Sequence, residues 1–205
     1  MWNDSNIVDF LANVVFGKPR NIVEAASDRA YLDLCRTLRD ANGKSFSKIS
    51  KGTKSNMKTA IARTIGTHVT EMQVSCFGQD SFDKWHEGTC ETIRKDFKRT
   101  IGNGWDLSYG QAQKWLNMTL KYLYMLSYEF SDAQLSRFHA IIDNYILDEA
   151  NRIGVSKPAK SWSRWSHDEY VKYQKSLRKC VKGSLFAWEF LAWNEKVSRR
   201  GEDEE

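Results

Sequence analysis

Proline is nearly missing from this chain: two residues in 205, with only 12 glycines beside them. A fold of many short strands needs turn residues at close intervals, so this scarcity points to long helices. Cysteine is sparse as well. Cys35, Cys76, Cys90 and Cys180 stand far apart, with no CxxC and no cysteine pair beside closely spaced histidines. That pattern argues against a zinc site and against a four-cysteine iron–sulfur cluster. No apolar run approaches the ~18 residues of a membrane-spanning helix, and no signal-peptide pattern opens the chain. The expectation is a cytoplasmic protein with reduced thiols, no metal, no cofactor and no membrane partner.

Acidic residues are also absent where it matters. From Ala41 to Thr70 there is no Asp or Glu, while Lys44, Lys48, Lys51, Lys54, Lys58 and Arg63 fall inside that stretch. A second acid-free run, VSKPAKSWSRWS (155–166), holds Lys157, Lys160, Arg164 and two tryptophans. The closing GEDEE carries four of the 26 acids, so the body is more basic than the net charge of +5. Two basic stretches with aromatics nearby suit a polyanion, of which nucleic acid is the commonest.

What is present is helical. SNIVDFLANVVFG reads as a helix capped at Ser5 and stopped at Gly17, and NIVEAASDRAYLDLCRTLRDANG as a second ending near Gly43. A basic loop, KSFSKISKGTKS, precedes a third helix over 55–73. A fourth starts at Ser81 and stops at Gly102-Asn103-Gly104. The fifth is YGQAQKWLNMTLKYL, with Ser108 and Gln111 spaced as a capping box. FSDAQLSRF is a short helix, and HAIIDNYILDEANRIG a longer one ending at Gly154. Ser166 caps HDEYVKYQKSLRKCVKG, and SLFAWEFLAWNEKV closes the set. The reading is an all-α, multi-helix globular bundle: one domain over 1–200, or two lobes sharing helices, and an acidic tail at 201–205.

Two segments carry chemistry. GQAQK (110–114) places a glycine turn and a small residue, Ala112, at a helix start, where free N–H groups can bind phosphate. Lys114 sits near the positive pole of that helix, which disfavours its protonated form. In the later segment, Asp143 falls on the helical stripe His139, Asp143, Ile146, Ala150, Ile153. A carboxylate on or beside a buried face needs a partner or a raised pKa.

Together these segments resemble the helix-hairpin-helix DNA glycosylase superfamily, whose hairpin reads G-x-G-x-K and whose aspartate lies in P-V-D-x-x-V-x-R-V-x-x-R-L-G. GQAQKWLNMTL matches the first element with Ala112 for the second glycine. IIDNYILDEANRIG matches the second, with Ile141 and Ile142 before Asp143 and Arg152-Ile153-Gly154 at its end. The separation of Lys114 and Asp143 is most similar to the archaeal 8-oxoguanine glycosylase branch. The resemblance covers residues 100 to 155.

It implies a helix-hairpin-helix glycosylase core acting on double-stranded DNA as a monomer, with the target base flipped out. Asp143 would stabilise charge on the sugar, and Lys114 would attack C1′ and add strand cleavage. Gly110, Gln111, Ala112, Gln113, Asn117, Lys48, Lys51, Lys54 and Arg164 would contact DNA. Tyr109, Trp115, Phe138, His139, Trp162 and Trp165 would wall the base pocket. The excised base stays open: oxidised, alkylated, deaminated, or a hypermodified phage base such as a glucosylated cytosine, in repair or in anti-phage defence. Each residue also has a structural alternative, a solvated Lys114, a capping Asp143 or a core Trp115. Two rival functions stand beside the glycosylase. One is a HEPN-type ribonuclease, using Arg63 and His68 of RTIGTH. The other is a nucleic-acid-binding protein without catalysis.

Overall fold

Capping chemistry sets most of the helix boundaries. The computed structural model describes residues 4–17, 21–75 and 78–202; Cys76 and residues 203–205 of the acidic tail lie outside them. The described residues form nine α-helices and no strand: α1 (Asp4–Phe16), α2 (Ile22–Leu34), α3 (Lys51–Ser75), α4 (Gln79–Ile101), α5 (Tyr109–Met125), α6 (Asp132–Leu135), α7 (Asn144–Arg152), α8 (His167–Cys180) and α9 (Leu185–Glu202). Ser108 with Gln111 and Ser166 with Glu169 make reciprocal capping boxes on α5 and α8, as their spacing predicts.

Ser5 lies inside α1 rather than capping it, and α9 runs past Val197 to Glu202, into the expected tail. Three further boundaries differ from the sequence expectation. The second helix stops at Leu34, not near Gly43, because Cys35–Thr37 tightens into a 3-10 turn and the Thr37 hydroxyl donates to the Leu34 carbonyl. The chain then doubles back: the Asp40 carboxylate accepts the Asn42 and Lys44 N–H groups, and Arg39 bridges Ser45. α3 begins at Lys51, earlier than 55, with the Ser50 hydroxyl accepting the Thr53 N–H.

The third difference bears on the site. Residues 139–143 do not continue α7. Gln174 of α8 clamps Ala140 like a strand partner, donating to its carbonyl at 2.6 Å and accepting from its N–H at 3.3 Å. α7 therefore starts after Asp143, which is its N-cap and accepts the Ile146 N–H at 3.0 Å.

α5 runs through the middle. α2 packs against both α3 and α5, while α4 lies against α3 and α5. α8 and the 3-10 turn Trp162–Arg164 cover the remaining side of α5. Buried apolar residues from Ala26 to Ala192 form one cluster, with Trp115 and Leu116 of α5 fully enclosed.

Candidate active site

α5 has no solvated flank over most of its length. From Tyr109 to Leu123 every residue except Met118 is buried, including Gln111, Gln113, Lys114, Asn117 and Lys121. A buried polar group costs free energy unless it is paired, and each of these five is paired. Gln111 donates to the Thr37 carbonyl, and Gln113 to the carbonyls of Gly110 and Ile142. Lys121 meets Glu189 of α9 at 2.6 Å, and burial raises the Glu189 pKa against the pull of that lysine.

Lys114 meets Asp143. Their Nζ and Oδ2 atoms are 2.6 Å apart, with side chains 7% and 17% exposed. The structure thus joins the two residues that the motif singled out, 29 positions apart. Asp143 divides its oxygens: Oδ2 accepts from Lys114 and Oδ1 from the Ile146 N–H. The Trp162 ring lies over the ammonium, its centroid 5.4 Å from Nζ.

The start of α5 does not match the expectation of a free phosphate-binding turn. The Gly110 N–H donates to the Trp165 carbonyl, and the Gln111 N–H to the Ser108 hydroxyl, which itself donates to the Ser163 carbonyl. The loop 155–166 thus seals this helix end. Gly110 is required by that seal, since a Cβ there would lie 1.9 Å from the Trp162 carbonyl oxygen. Gln111, Gln113 and Asn117 are therefore turned to protein groups, and Ala112 is wholly buried.

Sequence reasoning missed a polar chain beside the pair. Burial pushes the His86 and His139 pKa values down, so both rings are held neutral; proximity to His139 adds to this at His86. One set of donors then runs the length of the chain. Tyr109 donates to His86 Nδ1, and His86 Nε2 donates to Asn117. Asn117 donates to Gln113 and to the Tyr170 hydroxyl, and Tyr170 to His139 Nδ1. His139 Nε2 donates to Asp83 at 2.8 Å, and Arg178 makes a two-pronged bond to the same carboxylate. Burial opposes ionisation of Asp83, but hydrogen bonds from His139 and Arg178 outweigh it and hold the carboxyl far below the usual range. A readable signal existed: His86 stands on the apolar face of α4, in the row Phe82, His86, Ile93, Phe97.

The six aromatic candidates do not wall one pocket. Trp115 donates to Ser27 and packs on Tyr31 in the core. Phe138 stacks on Phe82 and meets Phe186 edge-on. Tyr109 and His139 belong to the polar chain, Trp162 covers Lys114, and Trp165 borders a cleft facing α8. Among the DNA-contact candidates, Lys48, Lys51 and Arg164 are exposed. Lys54 is partly covered, donating to the Ser47 carbonyl. Arg63 and His68 are not brought together: five residues turn a helix by about 140°, Arg63 is exposed, and His68 faces Thr89 of α4. No group of three or more His, Cys, Asp or Glu suited to a metal occurs among the described residues, and none of their helices is long and apolar enough to cross a membrane.

No family model, no curated protein and no solved structure matches the chain.

Proposed function

We propose that the protein is a DNA glycosylase that works through Lys114 and Asp143. The observation that carries the reading is their contact at 2.6 Å, reached from a lysine in the first turns of α5 and an aspartate at the N-cap of α7. The motif resemblance names the same two residues. The ammonium donates to the carboxylate. For attack, Lys114 passes that proton to Asp143, the acceptor already in place. The amine then forms a bond to C1′ as the glycosidic C–N bond breaks, and its electron pair leaves with the base, which takes up a proton. The nitrogen, which then bears two protons, passes one to the sugar-ring oxygen O4′ as the C1′–O4′ bond opens, and its lone pair forms the double bond of a protonated Schiff base. Without lysine attack, water takes the nucleophile's place and Asp143 stabilises the charged sugar.

A nucleotide must displace Trp162 to reach the pair. The covering loop is held to α5 by the Gly110–Trp165 and Ser108–Ser163 hydrogen bonds, and its Arg164, which is exposed, would meet a phosphate. The exposed Lys48 and Lys51 supply further charge from the other basic stretch. The substrate class is DNA carrying a damaged or modified base, in repair or in anti-phage defence. Burial of Lys114 is the observation that favours a second reading, binding without catalysis, in which the pair only holds α5 to α7.

The test is incubation with DNAs containing 8-oxoguanine, uracil, alkylated bases or glucosylated cytosine, with alkali to reveal abasic sites and borohydride to trap a Schiff base. The proposal expects one DNA to lose its base, and Asp143→Asn to slow this by about 100-fold or more. Lys114→Gln should abolish trapping while helix content is retained. Intact DNA throughout, or excision unaffected by both substitutions, would leave the binding reading in its place.

A further inference from the structure

Between the chain after α7 and the exposed side of α8 lies an open cleft of about 490 Å³, a volume suited to a small organic ligand. Its floor is apolar and aromatic: Val155, Trp165 and Tyr173, with the two rings 5.1 Å apart. Its rim carries Pro158 on one side and Lys172 and Lys179 on the other. These lysines are two turns apart on one face of α8, with Ser176 between them, and neither forms an ion pair among the described residues. The acid on the rim, Glu169, is already taken by Lys160 at 2.7 Å.

Tyr173 supplies an independent pointer. The residue is 5% exposed, yet its hydroxyl has no hydrogen-bond partner, the only buried hydroxyl so placed among the described residues. A phenol shut away from water without a partner costs free energy, and Tyr173 borders this cleft. A second, shallower hollow of about 470 Å³ continues along α8, sharing Lys172, Ser176 and Lys179 and adding Lys175 and Asp168.

We propose that this cleft is a nucleotide-binding site: the base lies against Pro158 and the aromatic floor, the Tyr173 hydroxyl bonds a polar atom of the ligand, and Lys172 and Lys179 hold the phosphate. An aromatic floor with a lysine rim fits a ligand that is flat and apolar at one end and anionic at the other. Such a unit comes either as a free nucleotide or as part of a strand, and the hollow with Lys175 is where the next phosphate of a strand would lie. The site uses neither Lys114 nor Asp143, so it stands or falls independently of the glycosylase.

Calorimetric titration of the full chain with dAMP, deoxyadenosine, inorganic phosphate and a short oligo-dA tests it. Expected is tighter binding of dAMP than of either fragment. The Lys172→Gln/Lys179→Gln protein should lose affinity for dAMP by about tenfold or more. Tyr173→Phe should lose roughly threefold to tenfold, while the Tm of the free protein stays level or rises, since an unpartnered hydroxyl has been removed. If the oligonucleotide binds more tightly than dAMP, and Lys175→Gln weakens the oligonucleotide alone, the ligand is a strand; equal binding assigns a free nucleotide. Inorganic phosphate binding as tightly as dAMP, no binding of dAMP, or unchanged affinity in the variants would overturn the proposal.

Discussion

A methyl group on Gly110 would lie 1.9 Å from the Trp162 carbonyl oxygen and 3.0 Å from its carbon, both of them backbone atoms. Neither can rotate away as a side-chain tip would. Gly110→Ala should therefore displace the 162–165 turn and cost about 1–3 kcal/mol or more, as overpacking does. Gly88, in the middle of α4, meets nothing within 4 Å, so Gly88→Ala there should gain roughly 0.5–1 kcal/mol from helix propensity alone. Urea denaturation of the two variants gives opposite signs if the packing is as described. Equal, small shifts would mean that the loop yields easily and does not seal α5. The glycine of the G-x-A-x-K motif thus serves a close approach between backbones, and the group approaching is a carbonyl of the protein itself.

At the scale of elements, α5 shows how a buried helix can carry amides and lysines. The Lys121–Glu189 pair is nearly enclosed, with side chains 10% and 3% exposed. Lys121→Met alone leaves Glu189 without its counter-charge and should cost about 3–5 kcal/mol, while Lys121→Met with Glu189→Leu should recover most of that loss. A double-mutant cycle in urea reads this directly; additive losses would show that the two side chains do not depend on each other. The same helix marks what the sequence could tell. Its cap was legible because Ser108 and Gln111 interact within one turn, and the Lys114–Asp143 pairing was legible through the motif. The burial of its polar flank was not, because Thr37, Glu189 and Tyr170, which satisfy it, lie on segments distant in sequence. Likewise FHAII before Asp143 has the composition of a helix, and contacts from distant side chains, Gln174 on Ala140 and Gln113 on Ile142, keep it out of one. Local caps located the starts of α5 and α8, the local bonds of Thr37 and Ser50 that set the end of α2 and the start of α3 went unread, and residues 139–143 were misread because a distant side chain decides them.

For the whole molecule, the polar chain from Tyr109 to Arg178 ties α4, α5 and α8 to the extended segment before α7, and its proton count fixes a pH dependence. His86 and His139 are both held below the ordinary histidine pKa by burial, so the folded state keeps them neutral where the unfolded chain begins to protonate. Below about pH 6.5 the unfolded state then binds more protons, and stability falls as pH falls. The slope reaches about 1.4 kcal/mol per pH unit for each histidine, so the pair accounts for at most about 4 kcal/mol between pH 7 and pH 5. Asp83 acts with the same sign but in a lower pH range. Its folded pKa is depressed, so its contribution is complete above the ordinary carboxylate pKa and is lost only on acidification below it. The window between pH 6.5 and 5 therefore belongs to the histidines. Urea midpoints at pH 7, 6 and 5 should drop steeply for the native sequence and much less for His86→Asn with His139→Gln, whose amides do not titrate. A native protein that loses less than about 1 kcal/mol over that range would show that at least one ring takes up its proton inside the fold. The arrangement of donors from Tyr109 to Asp83 would then have to run in a different order.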